Sequence, residues 1–173
     1  DEAYEALSPE QKKGSQGAQI RAMKTAALMP KELAEKYAVL CANLASNEVD
    51  TQRKDELLRM SENLQRVPWE GARDFWEAIQ SLWLTHMLVI TDENFPGAGL
   101  SFGRLDQILL PYWETSIQQG MSREFGKEIL KCFWIHCNTV YDAMIRTGNN
   151  QGITAAYGQL FNIGGMGKGG IDM

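Results

Sequence analysis

The stretch FWEAIQSLWLTHMLVI, residues 75–90, decides the fold of this chain because it is apolar on two sides at helical spacing. One stripe consists of Phe75, Ile79, Leu82, Trp83, His86, Met87 and Ile90, and Trp76, Leu84 and Leu88 lie on the other side. Intervals of three and four residues predict a helix over about 72–90. A helix that is apolar all round is buried in a large protein.

A second helix of the same kind is predicted from about Ser122 to Arg146. Gly120 marks the stop before it, and Ser122 can cap its first turn. Its two apolar stripes consist of Phe125, Ile129, Phe133, Val140 and Met144, and of Leu130, Trp134, Cys137, Tyr141 and Ile145. Between the two buried helices, Leu105 to Gln119 is typical of a helix that is kinked by Pro111.

The upstream part of the chain predicts shorter, amphipathic helices. The residues SPEQ, 8–11, form a capping box with proline in the first turn. Pro30 predicts a break near Met29. From Lys31 a buried stripe is expected at Leu33, Tyr37, Leu40, Cys41 and Leu44. Asp50 then caps a helix that ends before Pro68, with a buried stripe at Leu57, Met60, Leu64 and Val67.

The end of the chain has a different pattern. GITAAYGQLFNIGG, residues 152–165, has no helical stripe and is bounded by glycines, which predicts one buried strand or two short strands. The expected fold class is therefore mainly α, with one or two strands near the C-terminal end. The chain does not begin with Met, and it ends in mid-pattern at GKGGIDM, so we interpret it as a piece of a larger protein.

Composition excludes several classes of function. The net charge of −5 and the pI of about 5.1 argue against a nucleic-acid-binding face, which needs clustered basic residues. The chain contains no run of 18 apolar residues, so the sequence predicts no membrane-spanning helix. Three cysteines are too few for a disulfide scaffold and suit a reducing cytoplasm.

Several short motifs carry only weak signals. GMGKGG, residues 165–170, matches a dinucleotide-binding glycine pattern, but a glycine-rich turn is the simpler interpretation. Cys132 and Cys137 point about 140° apart on one helix, so they are interpreted as buried, inert thiols rather than metal ligands. His86 and His136 are interpreted as core histidines. The acidic residues Glu70, Asp74 and Glu77 are typical of the solvated start of a helix.

The loop ENFPGAGLSFGRLDQ, residues 93–107, combines glycines with fixed polar groups. Its glycines allow a sharp turn and a close approach of the backbone to another group. Asp92, Glu93 and Asn94 follow a buried helix and need polar partners, for which Arg104 is the obvious candidate. Together with Asp106 and Gln107, Arg104 is expected to tie the loop to its neighbours.

These segments together resemble the glycyl radical enzymes. The resemblance is carried by FWEAIQSLWLTHMLVI (75–90), SFGRLDQILLPYW (101–113), GQLFNIGG (158–165) and GKGGIDM (167–173), in the family's order. It covers roughly residues 30–173. VPWEGARDFWEA, DENFPGAGLSFGR and FWIHCNTVYDAMIR look most like the arylacetate decarboxylases of that family, which act on 4-hydroxyphenylacetate, indole-3-acetate or phenylacetate.

The resemblance implies a substrate-lining role for part of the loop. Where polyol dehydratases and choline lyase carry a small polar loop, often with a His-Ser pair, this chain has Ala98 and Gly99. An aromatic ring fits such an apolar space, whereas a polyol loses hydrogen bonds there. Leu100 would lie near the ring and Phe161 would form a second wall. Ser101 is the loop's one hydrogen-bond partner for a phenol, which favours indole-3-acetate slightly over 4-hydroxyphenylacetate.

The resemblance also implies the fold, the cofactor and the partners. The family fold is a ten-stranded α/β barrel, of which residues 1–173 would be a single partial domain. A protein glycyl radical, installed by an S-adenosylmethionine-dependent iron–sulfur activating enzyme, would drive decarboxylation in a cytoplasmic homodimer. Neither the radical glycine motif nor the cysteine loop occurs in this chain, so no catalytic residue is assigned, no metal or bound cofactor is expected, and the chain alone is expected to be inactive.

Two alternatives stay open at this point. Within the family, the protein is a glycyl radical dehydratase or C–N lyase. Outside it, the chain is a non-catalytic helical interaction domain, in which the apolar faces of the two central helices form a partner-binding surface.

Overall fold

The computed structural model describes residues 2–92 and 101–147, together with Gly164. Within these residues it is helical, and no strand occurs among them. The helices are α1 (Glu2–Glu5), α2 (Pro9–Lys13), α3 (Ser15–Asn47), α4 (Thr51–Leu64), α5 (Phe75–Asp92), α6 (Leu105–Gln118) and α7 (Arg123–Thr147). Residues 1–69 form one compact unit and residues 70–173 form a second. Apart from Gly164, the strands predicted over 152–165 lie outside the described residues.

The N-terminal unit confirms the predicted caps and corrects the predicted break. Ser8 and Gln11 form the capping box of α2, and the Asp50 side chain accepts a hydrogen bond from the Arg53 backbone at the start of α4. The break expected near Met29 is wrong, because α3 runs without interruption through Pro30. A proline removes one backbone donor from a helix, and here the residues on both sides continue the helix at that cost.

The packing of α3 on α4 is rotated by one residue from the predicted stripe. The buried residues of α3 are Gly17, Ala34, Ala38, Cys41 and Ala45. Tyr37, Leu40 and Leu44, which were expected to be buried, are 42%, 48% and 50% exposed. Small side chains let the two helices approach closely, as shown by the Ser61 hydroxyl, which donates to the Ala38 carbonyl at 2.8 Å. The stripe predicted for α4 is confirmed for Leu57, Leu64 and Val67, which are buried.

The core of the C-terminal unit is built from α5, α6 and α7. Its buried residues are Phe75, Ala78, Ile79, Leu105, Leu109, Ile129, Phe133 and Cys137. The Phe75 ring meets Trp113 of α6 edge-on at 5.2 Å between centroids. The Phe75 backbone N–H donates to the buried Ser116 hydroxyl at 2.8 Å, which satisfies one open donor at the start of α5. Hydrophobic and polar contacts therefore join α5 and α6 at the same point.

The expectation of burial on both faces fits α5 better than α7. The second side of α5 contributes Leu84, which is 4% exposed, and partly buried Trp76 and Leu88. In α7, Ile129, Phe133 and Cys137 are buried, but the prediction of burial is wrong for Phe125 and Trp134, which are 38% and 40% exposed. Ile135, on the outer side, is 64% exposed. The lower part of the predicted stripes, Val140, Tyr141, Met144 and Ile145, lies where side chains fall outside the described residues.

The predicted solvated start of α5 is wrong for Glu77, which is completely buried. Its carboxylate accepts hydrogen bonds from the Arg73 backbone at 2.7 Å and from the Arg73 guanidinium at 2.5 and 2.9 Å. The Glu77 backbone N–H donates to the Asp74 carboxylate at 2.9 Å. These bonds offset the cost of removing the Glu77 carboxylate from water. Asp74 and Glu77 therefore bind the first turn of the helix, whereas Glu70 is exposed as predicted.

Replacement of Glu77 by alanine should strongly destabilise the chain. The substitution removes the carboxylate that binds the Arg73 backbone and guanidinium and leaves a cavity, and we expect the free energy of unfolding to fall by about 2–4 kcal/mol. Chemical denaturation followed by circular dichroism measures it. The matched control is Glu124→Ala, because Glu124 is exposed and pairs with Lys127 at 2.8 Å. Equal losses for the two variants would contradict the structural role of Glu77.

A methyl group at Gly126 should also be destabilising. Gly126 lies where α7 meets the Trp113 ring of α6, and a Cβ there would overlap that ring. We expect Gly126→Ala to lower the free energy of unfolding by about 1–3 kcal/mol, because Trp113 must move from its packed position. A Cβ at Gly71 meets nothing within 4 Å, so Gly71→Ala is the control and should be neutral. A stable Gly126→Ala variant would show that α6 and α7 are packed less closely than described.

Candidate functional site

The loop predicted to line the substrate cavity is described only at its C-terminal end. Ala98, Gly99, Leu100 and Phe161 lie outside the described residues, as do residues 165–170 of the glycine motif. Ser101 to Gln107 are described, together with the faces of α5 and α7 beneath them. The described part of the candidate site therefore consists of the residues that follow the loop and those that pack beneath it.

Gly103 makes a left-handed turn between the loop and α6. Its φ is +68°, a conformation that side chains other than glycine rarely adopt. Its N–H donates to the Ser101 hydroxyl at 3.1 Å, and its carbonyl accepts from the Leu105 N–H at 3.0 Å. This turn explains one of the loop's glycines by backbone geometry.

Arg104 and Asp106 form a bidentate ion pair at the start of α6. The Arg104 Nε and Nη2 atoms donate to the two carboxylate oxygens of Asp106 at 3.1 and 2.8 Å. The hydrogen bond from Arg104 holds the pKa of the Asp106 carboxyl below its usual value. The Arg104 carbonyl accepts from the Gln107 N–H at 3.1 Å, and the Gln107 side chain is exposed. The structure thus brings Arg104 and Asp106 together, whereas the side chains of Asp92, Glu93 and Asn94 lie outside the described residues.

Four side chains form what we call the aromatic cluster: Trp83 and His86 of α5, Phe102 of the loop and Phe133 of α7. The Phe102 ring lies 4.1 Å from the His86 ring and 5.2 Å from the Phe133 ring, between centroids. Trp83 lies 6.3 Å from both His86 and Phe133. The sequence reasoning missed Phe102, although its position as the one aromatic residue between the apolar loop residues and Gly103 is a usable signal.

The histidines and the two cysteines of α7 were all predicted to be buried, and only some of them are. His86 is buried as expected, but the prediction is wrong for His136, which is exposed and whose ring centroid lies 5.3 Å from that of Trp83. Cys137 is buried, and burial raises the pKa of its thiol to about 12. The prediction of burial is wrong for Cys132, which is exposed because it lies on the outer face of α7.

The described ranges contain neither a metal-binding cluster nor a membrane-spanning helix. In residues 2–92 and 101–147, no group of three or more His, Cys, Asp or Glu side chains is arranged to hold a metal ion. Among the helices of these ranges, none has both the length and the apolar character needed to cross a bilayer.

Comparisons with known proteins identify relatives over most of the chain. The isethionate sulfite-lyase of Desulfovibrio desulfuricans is 38% identical over 141 residues, which is 80% of this chain and 17% of that protein. The indoleacetate decarboxylase of Tractidigestivibacter scatoligenes is 40% identical over 88 residues, which is 50% of this chain and 10% of that protein. The chain therefore spans less than a fifth of the length of these relatives.

Solved structures and a family model also match this chain. The B12-independent glycerol dehydratase of Clostridium butyricum, in its glycerol-bound form, matches 99% of this chain and 22% of its own, with a TM-score of 0.77 and 25% identity. A solved structure from Archaeoglobus fulgidus, described as a glycyl radical enzyme, also matches. The family model described as pyruvate formate lyase-like covers residues 1–173. The chain therefore belongs to the pyruvate formate lyase-like family of glycyl radical enzymes.

Proposed function

We propose that the chain is part of a longer glycyl radical lyase that decarboxylates an arylacetate to a methylarene and CO2. The observation that carries the proposal is the apolar run Ala98-Gly99-Leu100, which leads within two residues to Phe102 of the aromatic cluster. An apolar, ring-rich approach suits a planar aromatic acid better than a polyol, whose hydroxyl groups would lose hydrogen bonds there. Indole-3-acetate is the first candidate substrate, followed by 4-hydroxyphenylacetate.

In this proposal Ala98, Gly99, Leu100 and Phe161 line the cavity around the substrate ring. Gly99 lets the backbone approach the ring, and the other three side chains exclude water from it. The Gly103 turn and the Arg104–Asp106 pair hold the C-terminal end of the loop. These residues bind and orient the ring, and the reaction takes one proton for each CO2 that is released.

The protein glycyl radical supplies the hydrogen-atom chemistry of the family, and we assign none of that chemistry to this chain. Its three cysteines do not fit the role of the thiyl residue, because Cys41, Cys132 and Cys137 all lie within helices. Burial also raises the pKa of the thiols of Cys41 and Cys137. We infer that the radical glycine and its partner cysteine belong to the rest of the protein.

The wider assignments are proposals of the same kind. We propose that residues 1–173 form one partial domain of a ten-stranded α/β barrel in a cytoplasmic homodimer. We propose that an S-adenosylmethionine-dependent iron–sulfur enzyme installs the radical. The non-catalytic interaction domain is the weaker alternative, because the relatives that contain this region are named as a sulfite-lyase, a decarboxylase and a dehydratase.

A second candidate function is cleavage of a C–S bond in a small sulfonate. It is favoured by the isethionate sulfite-lyase, whose 38% identity extends over 80% of this chain, a longer match than that to the indoleacetate decarboxylase. The glycyl radical dehydratases and C–N lyases form a third group, supported by the similarity in fold to the glycerol dehydratase.

Turnover of the full-length protein by substrate class tests the proposal. The protein is activated anaerobically with its activating enzyme, and the glycyl doublet is recorded by electron paramagnetic resonance. It then receives indole-3-acetate, 4-hydroxyphenylacetate, phenylacetate, isethionate, glycerol or hydroxyproline in separate reactions. We expect CO2 and a methylarene from an arylacetate. A doublet with sulfite release, or with dehydration only, would overturn the decarboxylase proposal and retain the family.

A polar substitution in the loop gives a matched mutational test. Ala98→Ser places a hydroxyl against the substrate ring, so we expect kcat/KM for the arylacetate to fall about tenfold through an unfavourable polar contact. Ala42→Ser is the control, because Ala42 is exposed on α3. Equal kinetics for Ala98→Ser and the unmodified enzyme would argue against contact between this residue and the substrate.

A further inference from the structure

A second apolar face of α3 is not explained by the packing of this helix on α4. It consists of Met29, Leu33, Tyr37, Leu40 and Leu44, which we call the outer stripe. Leu33 is partly buried, and the other four side chains are 42–52% exposed. A single exposed leucine needs no explanation, but a contiguous row of large apolar side chains on one face marks a contact surface.

The outer stripe has the geometry of a helix-packing face. Its members follow one another at intervals of four, four, three and four residues. At about 100° per residue, they lie within roughly 80° of the helix circumference and extend for about 22 Å along it. The residues that are buried along the same stretch, Ala34, Ala38, Cys41 and Ala45, are centred about 110° farther around. The stretch therefore has two faces, and the outer stripe is the one that α4 leaves exposed.

The spacing of the outer stripe indicates what kind of segment fits it. Side chains at intervals of three and four residues form ridges, and such ridges pack into the grooves of another α-helix. A strand or an irregular loop offers no matching row of grooves, and its backbone polar groups would lose water against an apolar face. The partner expected from the geometry is therefore a helix with its own apolar stripe.

Two observations favour a partner from the same polypeptide. The residues that match the isethionate sulfite-lyase make up 80% of this chain but 17% of that protein, so most of a protein of that length lies outside residues 1–173. The half-exposed side chains offer on the order of a few hundred Å², well below the ~800 Å² that each partner buries in a stable complex. A segment of the same polypeptide packs on a smaller area, because its effective concentration is high.

We propose that a helix from the part of the full-length protein outside residues 1–173 packs along the outer stripe, with apolar residues at intervals of three and four. The inference rests on the proposal that the chain is part of a longer protein, and it is independent of the substrate. Large apolar side chains in such a face replace one another at modest cost, so the contact requires apolar character and no particular residue.

Thiol protection in the full-length protein, without radical activation, tests whether the stripe is covered. Leu40→Cys places a thiol in the stripe, and Ala42→Cys places a control thiol on the same helix about 200° around it. Both positions are exposed in the described part of the chain. We expect a maleimide to label position 40 at least tenfold more slowly than position 42, because a packed helix excludes the reagent.

Peptide mass spectrometry assigns the labelled thiols, with buried Cys41 as the internal reference for a protected one. Labelling of position 40 at the rate of position 42 would overturn the proposal. If Leu40→Cys does not fold, Leu44→Cys, which is in the same stripe, decides by the same criterion.

A photo-crosslink identifies the partner. Replacement of Tyr37 by p-benzoylphenylalanine keeps an aromatic ring in the middle of the stripe. After irradiation we expect a product with the mass of one polypeptide, in which position 37 is joined to a segment outside residues 1–173. A product of twice that mass would identify a second copy, and a product joined to a different protein would identify a separate partner. Either result would overturn the proposal.

These outcomes are separate from those that test the proposed function. If the activated enzyme releases sulfite or only dehydrates its substrate, the decarboxylase proposal fails, and the thiol and crosslinking results still decide what covers the outer stripe. If the enzyme decarboxylates an arylacetate while position 40 labels freely, the proposed function stands and this inference fails.

Discussion

The burial of α5 against α6 and α7 is the constraint on which the C-terminal unit depends. Phe75 and Ile79 of α5 belong to the shared core, and Leu109 and Phe133 are contributed by the two helices packed against them. A buried apolar side chain contributes on the order of 1.5–3 kcal/mol, so this shared core outweighs any single polar contact at its edges. The polar groups at the start of α5 follow from that burial: Glu77 enters the core because Arg73 and the open backbone of the first turn bind it.

The same burial determines how the candidate site is supported. His86 and Phe133 occupy core positions on different helices, and both face Phe102. The loop residue therefore rests on the part of the unit that is hardest to deform. Functional loops are generally held by rigid scaffolds in this way, with freedom confined to the residues that approach the ligand.

Sequence reasoning identified the helices well because their apolar periodicity is long, but it misjudged which side chains are covered. On α3 the apolar pattern favoured large residues such as Tyr37 and Leu40. The residues that are buried on this helix are mostly alanines one position farther along, namely Ala34, Ala38 and Ala45, which we call the alanine row. Large apolar side chains dominate a hydrophobic pattern, but two helices can approach each other closely only where the side chains between them are small. Pro30 and Glu77 were misjudged because tertiary and local hydrogen-bonding context overrides propensity. The role of the loop around Arg104 and Asp106 stays a prediction, although the structure pairs these two side chains. Phe102 was missed because its contacts with His86 and Phe133 join elements that are distant in the sequence.

The alanine row on α3 has an evolutionary consequence. Between α3 and α4 the backbone of Ala38 comes within reach of the Ser61 hydroxyl, so that seam has room only for residues of about alanine or serine size. Drift at these positions should be confined to exchanges among Gly, Ala, Ser and Cys, while the neighbouring large side chains on the outer surface are free to vary. On α3, the positions that change most slowly in evolution would therefore be the small buried residues and not the large apolar ones. This is the reverse of the usual expectation for a protein interior.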